Sequence, residues 1–244
     1  MQDSLLIHLI WILAGFVNGV TSFGGNLVAT PLLTLFKEPE DTVVLACLSG
    51  LCITLLMTFF YRHHPPWKDL LTLVGASCIG APAGLLFFGR IPTDFFLLLL
   101  ASILVFFLSW QLLPEKYKRA RTRLPLWTGL PVGCAFGFLF ILTSMPGPVV
   151  VIWGLLRRWS RQEMMFMMNA VGALGAVIAA VNYWGAGYLG LAEFKNALGT
   201  FPFCAAGVFL SIPVVRRMST ETFRKGVLLM LAFSALVLLV RAFR

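Results

Sequence analysis

Two short uncharged motifs hold the residue types best suited to a ligand: Thr21-Ser22-Phe23-Gly24-Gly25-Asn26 and Thr143-Ser144-Met145-Pro146-Gly147-Pro148. Glycine lets a chain turn, and proline suits a first helical turn because its missing N–H would be unpaired there anyway. Each motif therefore reads as a helix break followed by a new helix start. The first N–H groups of such a start have no intrahelical partner, and they carry the positive end of the helix dipole. Two facing starts make an anion site without any charged side chain. The hydroxyls of Thr21, Ser22, Thr143 and Ser144 add donors or cap the new helices. The candidate binding residues are thus Thr21, Ser22, Phe23, Gly24, Gly25, Asn26, Thr143, Ser144, Met145 and Gly147. Symmetry between the motifs leads to similar contributions from Ser22 and Ser144. A single motif of this kind reads most simply as a kink whose hydroxyls bond back to their own helix. Two matched copies favour binding.

The copies match because the chain repeats. At an offset of 122, half of 244, Gly15, Phe16, Thr21, Ser22, Gly25, Val28 and Leu33 face Gly137, Phe138, Thr143, Ser144, Gly147, Val150 and Leu155, and Gly50 faces Gly172. Further on the register drifts to 127, which pairs Thr93-Asp94 and Phe96 with Thr220-Glu221 and Phe223. Two halves, 1–114 and 126–244, are then joined by the basic linker 115–125 within a single membrane domain, 1–244.

The elements that position these motifs follow from composition. The chain is 59% hydrophobic and 12% charged, with mean hydropathy +0.89, against about 25% charged in an ordinary soluble domain. A soluble fold of this size cannot bury so much apolar surface, so the solvent is lipid, and secreted, cytosolic and disordered classes are excluded. Cutting at charged residues leaves uncharged runs at 4–36, 42–61, 70–89, 95–114, 124–156, 164–192, 196–215 and 226–240. Most match the ~20 residues of a membrane-spanning helix. Runs 4–36 and 124–156 are 33 residues each, too long for one straight span and too short for two. A broken or re-entrant first helix in each half fits.

The net charge of +9 would suggest nucleic acid in a soluble protein. Here the basic residues lie between apolar runs and read as topology signals, so no nucleic-acid partner is expected. If both long runs return to their starting side, 14 Lys/Arg fall on the cytoplasmic side and 5 outside; if each crosses once, the split is 10 to 9. The hairpin arrangement satisfies the positive-inside rule. Each half then makes an odd number of crossings, which turns the halves upside down relative to each other: an all-α polytopic membrane protein, an inverted repeat of two four-segment halves.

Other residues read more plainly. His63-His64 belongs to a solvated interfacial loop. Gly15–Gly19, Gly80–Gly84 and Gly133–Gly137 have the spacing of close helix packing. Asn18, Asn169 and Asn182 need partners within apolar runs, and Asn169 reaches either the cavity or a neighbouring helix. Trp67, Trp127, Trp159 and Trp184 fall near run ends as interfacial anchors. Asp41, Asp69, Asp94, Glu163, Glu193 and Glu221 lie at span ends, where they cap helices. The five cysteines lie inside apolar runs without CxxC spacing, which argues against disulfides and metal. There is no GxxxxGK[ST] motif for ATP, and no cofactor is implied. Met1-Gln2-Asp3-Ser4 lacks the positive flank of a signal peptide, so the first run is expected to stay in the mature protein.

The chain resembles the TauE/SafE-type sulfite exporters of the 4-toluene sulfonate uptake permease group. The likeness rests on Gly15 to Leu33, where Gly19, Gly24-Gly25 and Pro31 match the family's glycine-rich first motif, and on its repetition after the linker. The usual triple glycine is altered, with Phe23 in place of its first residue and Met145-Pro146-Gly147 in the second copy. The resemblance implies a multi-pass protein of the cell inner membrane that moves a small anion, sulfite or another sulfur-containing oxyanion or organosulfonate. The combined reading is a secondary transporter working by alternating access, with lipid and the anion as partners and a proton or sodium as candidate coupling ion. Rivals are a permease for carboxylates or other oxyanions and an integral-membrane enzyme using His63-His64, although no catalytic constellation favours an enzyme.

Overall fold

The computed structural model describes residues 2–62, 65–112 and 124–217, together with Ala232, Ala235, Leu236, Leu238 and Leu239. His63-His64, most of the basic linker and the Thr220–Phe223 segment lie outside the described residues. The described chain is all-helical: α1 (Gln2–Thr21), α2 (Gly25–Leu33), α3 (Pro39–Phe60), α4 (Trp67–Leu85), α5 (Thr93–Leu112), a 3-10 turn (Leu126–Thr128), α6 (Gly129–Thr143), α7 (Gly147–Leu156), α8 (Arg161–Gly185) and α9 (Leu191–Arg217). Five stretches are long and apolar enough to cross a membrane, lying in α3, α5, the 3-10 turn with α6, α8 and α9. The protein is a multi-pass membrane protein.

Both long uncharged runs break where the sequence motifs lie, between α1 and α2 and between α6 and α7. Each has a long first arm and a short second one, 20 and 9 residues in the first run, 15 and 10 in the second. The second run closes on itself. Leu124 N donates to the Leu156 carbonyl at 3.3 Å, and the Trp153 indole N–H donates to Thr128 Oγ1 at 3.0 Å. It is a hairpin whose end meets its own beginning. In the first run, Gly25 N donates back to Asn18 Oδ1 at 3.3 Å, so α2 starts alongside α1 rather than extending it.

Helix pairing follows the small residues. In α4 and α6, a Cβ at Gly80 would lie 1.9 Å from the Cys134 carbonyl oxygen, and one at Gly137 would lie 2.4 Å from that of Ser77. In α1 and α9, a Cβ at Gly207 would lie 2.1 Å from the Ile12 oxygen, and one at Gly15 would lie 2.4 Å from that of Cys204. Only glycine permits such backbone approach, which in lipid replaces the hydrophobic drive for association. In both seams residue numbers rise together, from Thr72 against Gly129 to Gly84 against Phe138, and from His8 against Phe203 to Gly19 against Ser211. The paired helices are parallel. Between α3 and α8 the order reverses, since the Cys47 thiol meets the Ala176 oxygen at 3.5 Å while Thr54 lies against Gly172.

Helix starts are marked as their residues dictate. Pro39 opens α3 with Glu40 and Asp41 in its first turn. Ser160 and Glu163 form a reciprocal capping box on α8, and Glu193 Oε2 accepts from Gly190 N at 2.8 Å ahead of α9. One sequence expectation is extended and one corrected. Asp69 stands in the first turn of α4 as expected, but its carboxylate is more than a helix-end charge: it receives Arg157 Nε at 3.0 Å, Arg157 Nη2 at 2.5 Å and Trp159 Nε1 at 2.6 Å. Trp159 is accordingly buried rather than an interfacial anchor, whereas Trp67, Trp127 and Trp184 are exposed. A buried carboxylate needs donors, and a hairpin base supplies three.

Candidate functional site

The two breaks share one local design. Thr21 Oγ1 donates to Val17 O at 2.8 Å, and Thr143 Oγ1 donates to Leu139 O at 2.8 Å. Ser22 N donates to Asn18 O at 2.6 Å, and Ser144 N donates to Phe140 O at 2.8 Å, closing the last helical turn. The next amides then turn onto the threonines, Phe23 N to Thr21 Oγ1 at 3.4 Å and Met145 N to Thr143 Oγ1 at 3.1 Å. Ser22 and Ser144 take left-handed backbone angles, φ 63° and 54°. Such angles are costly for a residue with a Cβ and persist only where the surroundings impose them. The residues that turn the chain are therefore the serines, with Gly24 (φ 101°) in the first break, and not Gly25 and Gly147, which open the new helices.

Asparagines from opposite halves hold the breaks. Asn169 of α8 donates to the Ser22 carbonyl at 2.9 Å and to Met165 O at 2.8 Å, and its own Oδ1 accepts from Asn18 Nδ2 at 3.0 Å. Reciprocally, Asn26 of α2 donates to the Ser144 carbonyl at 3.0 Å and to Ser144 Oγ at 2.8 Å. Each broken helix thus has its loose carbonyl satisfied from the other half, as a chain in lipid requires. Gly50 makes room for this, because a Cβ there would meet Asn26 Oδ1 at 2.7 Å.

Between the breaks lies a cavity of about 70 Å³ whose walls carry no charged side chain. Of the ten sequence candidates, Ser22, Phe23, Gly24, Gly25, Asn26, Ser144, Met145 and Gly147 line it. Thr21 and Thr143 do not, their hydroxyls being turned onto their own helices. The middles of α3 and α8 complete the walls, notably with Cys47, Gly50, Thr54, Asn169 and Gly172. Asn169 both lines the cavity and bonds to another helix. Gly50 and Gly172 had a signal in the repeat itself; Cys47 and Thr54 had none beyond sitting one turn from Gly50. Phe23 closes one side, edge-on to Phe107 of α5 with ring centroids 5.4 Å apart.

Three features of the cavity bear on what it could hold. First, α2 and α7 begin on it, so it receives two positive helix ends. Second, the Ser22 hydroxyl is buried, with the residue 2% exposed, and has no hydrogen-bond partner among the described residues. A buried unpaired hydroxyl costs free energy that a ligand acceptor removes. Third, the two starts are unequal. Pro148 has no N–H, and Val149 N is already bonded to Pro146 O at 3.2 Å, which leaves Gly147 N at the α7 start, whereas at the α2 start Gly25 N is taken by Asn18 Oδ1 and the Asn26 and Leu27 amides follow it. The Ser144 hydroxyl also differs from that of Ser22 in already accepting from Asn26.

No curated protein and no solved structure matches the chain. The family model described as sulfite exporter TauE/SafE matches residues 7–238, which takes in both breaks, the cavity between them and both helix seams. The chain belongs to the sulfite exporter TauE/SafE family of membrane transporters.

Proposed function

We propose that this protein is a secondary transporter of the cell inner membrane that carries a small anion, sulfite or another compact sulfur oxyanion, by alternating access about the cavity between the two breaks. The observation that carries the reading is a cavity onto which two half-helices begin and which is lined by Ser22, whose buried hydroxyl has no partner among the described residues. An anion there accepts from Ser22 and from the Asn26 and Leu27 amides in the first turn of α2, Gly25 N being taken by Asn18 Oδ1, while meeting two helix dipoles. The absence of a cationic side chain suits a carrier, which must release what it binds.

Size narrows the substrate. At about 10–15 Å³ for each water-sized group, a cavity of about 70 Å³ accepts a compact oxyanion and not an aryl sulfonate in this conformation. The inverted-repeat reading is supported by the two parallel seams that exchange with each other and by the antiparallel α3–α8 pair, since an axis that reverses its own helix pair lies across the helices. In this scheme the halves at 1–114 and 126–244 rock about the site.

The test is a panel of anions on the purified full chain. Sulfite and similar compact oxyanions raise its melting temperature in detergent and move across liposomes that contain only this protein; toluenesulfonate and larger carboxylates do neither. A chain whose melting no anion shifts, and which carries none, refutes the proposal.

A further inference from the structure

Each hairpin ends beside the start of a helix from the other half, with charges set out alike. The second hairpin delivers Arg157, the residue after α7, to Asp69, the third residue of α4. The first delivers Lys37, four residues past α2, to the neighbourhood of Glu193, the third residue of α9. The α4–α6 and α1–α9 seams carry these pairs in corresponding places.

Their states differ. Arg157 is buried and held by two bonds to Asp69, with Nη1 donating to the Leu124 carbonyl at 2.5 Å and the guanidinium over the Trp153 ring. At the other base, Lys37 and Glu193 line a cavity of about 310 Å³ that also receives His8, Asp41, Asn196 and Thr200. The cavity lies along the same helix as the site: Val44 and Leu45 of α3 line it, and Cys47, one turn past Val44, and Gly50, nearly a turn further, line the central cavity. His8 and Asp41 belong to α1 and α3, on either side of the hairpin end that carries Lys37, so a pair with either stays within the first half. Glu193 rides on the second half and has one carboxylate oxygen beyond the one bonded to Gly190 N.

We infer that Lys37 and Glu193 are a second gate, which pairs and closes this end when the Asp69–Arg157 lock opens. The inference rests on the alternating-access reading, to which it adds the two contacts that exchange. The structure is then the conformation with the Lys37 end open and the Arg157 end shut. Lysine at the open end suits a contact that must release, being a hydrated point charge, whereas arginine's planar fork makes the more durable lock.

A test that needs no substrate uses Lys37→Cys with Glu193→Cys in the full chain, its five native cysteines replaced, treated in membranes with a short bismaleimide. Cross-linking occurs and accelerates at least fivefold when Asp69→Asn is added, because weakening one lock populates the opposite closed state. No cross-link in either background, or a rate blind to Asp69→Asn, overturns the gate. Charge reversal gives the second measurement. Lys37→Glu and Glu193→Lys each lower radiolabelled sulfite flux about tenfold, the double swap returns it to within threefold of wild type, and all retain the sulfite-dependent melting shift. A double swap no better than either single overturns the pairing. Loss of the melting shift and flux in the wild type strikes the transport reading instead, while the cross-link still decides the gate.

Discussion

The two breaks and the two hairpin bases use the same internal repeat in opposite ways. At the breaks the two motifs share a backbone design: a threonine bonded back one turn, a serine in left-handed backbone, the next amide turned onto the threonine, and an asparagine on the serine carbonyl, from α8 in one case and α2 in the other. At the bases they part, one sealed by Asp69, Arg157 and Trp159 and the other open around Lys37 and Glu193. The resemblance is kept in the backbone of the breaks and lost in the side chains of the bases; on the proposed alternating-access reading, the bases are where a carrier must differ between its two ends.

That contrast breaks most sharply at the acids. Asp69→Ala leaves the buried Arg157 guanidinium without its counter-charge, and removing one member of a buried pair costs about 3–5 kcal/mol. Glu193→Ala faces an open cavity and costs less than about 1 kcal/mol. Unfolding in detergent, followed for both variants, measures the difference. Equal losses would mean that the Lys37 end is as sealed as the other.

The glycines opening α2 and α7 separate next. A Cβ at Gly25 would sit 3.0 Å from the Ala14 carbonyl oxygen and 3.2 Å from Asn18 Cβ, whereas one at Gly147 meets nothing nearer than Met168 Cε at 3.6 Å. Gly25→Ala is therefore a packing variant that loses about 1–3 kcal/mol. Gly147→Ala keeps its melting temperature within about 2 °C, a shift of less than ~0.5 kcal/mol. Its methyl enters the cavity instead and weakens sulfite binding about tenfold, roughly 1.4 kcal/mol. Titration and melting of the pair distinguish the two roles, and a Gly147→Ala protein with unchanged affinity would place the anion away from α7.

Much of this was legible in the sequence. Charge-free runs of 33 residues forced a break in each half, and the Gly/Ser/Pro motifs placed it, because a chain in lipid can interrupt a helix only where small or capping residues satisfy the backbone. The basic residues grouped Arg62, Lys68 and Arg157 at one end and Lys37 and Lys195 at the other, and the structure joins Asp69 to Arg157 and Lys37 to Glu193's surroundings accordingly. What stayed hidden was long-range pairing. Nothing local to Asp69 distinguishes a cap from the partner of an arginine 88 residues away. Nor does Trp159, an ordinary run-end tryptophan by position, announce that its indole N–H completes a buried carboxylate. The same limit made Ser22 and Ser144 look alike, since Asn26 falls in the first motif and its counterpart in the second is Pro148.

The serines give the finest comparison. A hydroxyl that donates to an anion contributes between a neutral and a charged hydrogen bond, and losing it weakens binding about 3- to 30-fold, roughly 0.7–2 kcal/mol. Ser22 has such a hydroxyl to give, buried just ahead of α2 and without a partner among the described residues. Ser144 Oγ already accepts from Asn26 Nδ2 at 2.8 Å, but accepting leaves its own proton free, so it too can donate, only in an orientation fixed by the asparagine. Ser144→Ala therefore costs less than about threefold in sulfite affinity by itself. Asn26→Ala, which frees the serine rotor and unties the second break from the first half, costs more than Ser144→Ala. Calorimetric titration of sulfite into the three variants orders them as Ser22→Ala, then Asn26→Ala, then Ser144→Ala. Equal losses at the two serines would restore the symmetric cradle and show that Asn26 gives way when the anion arrives.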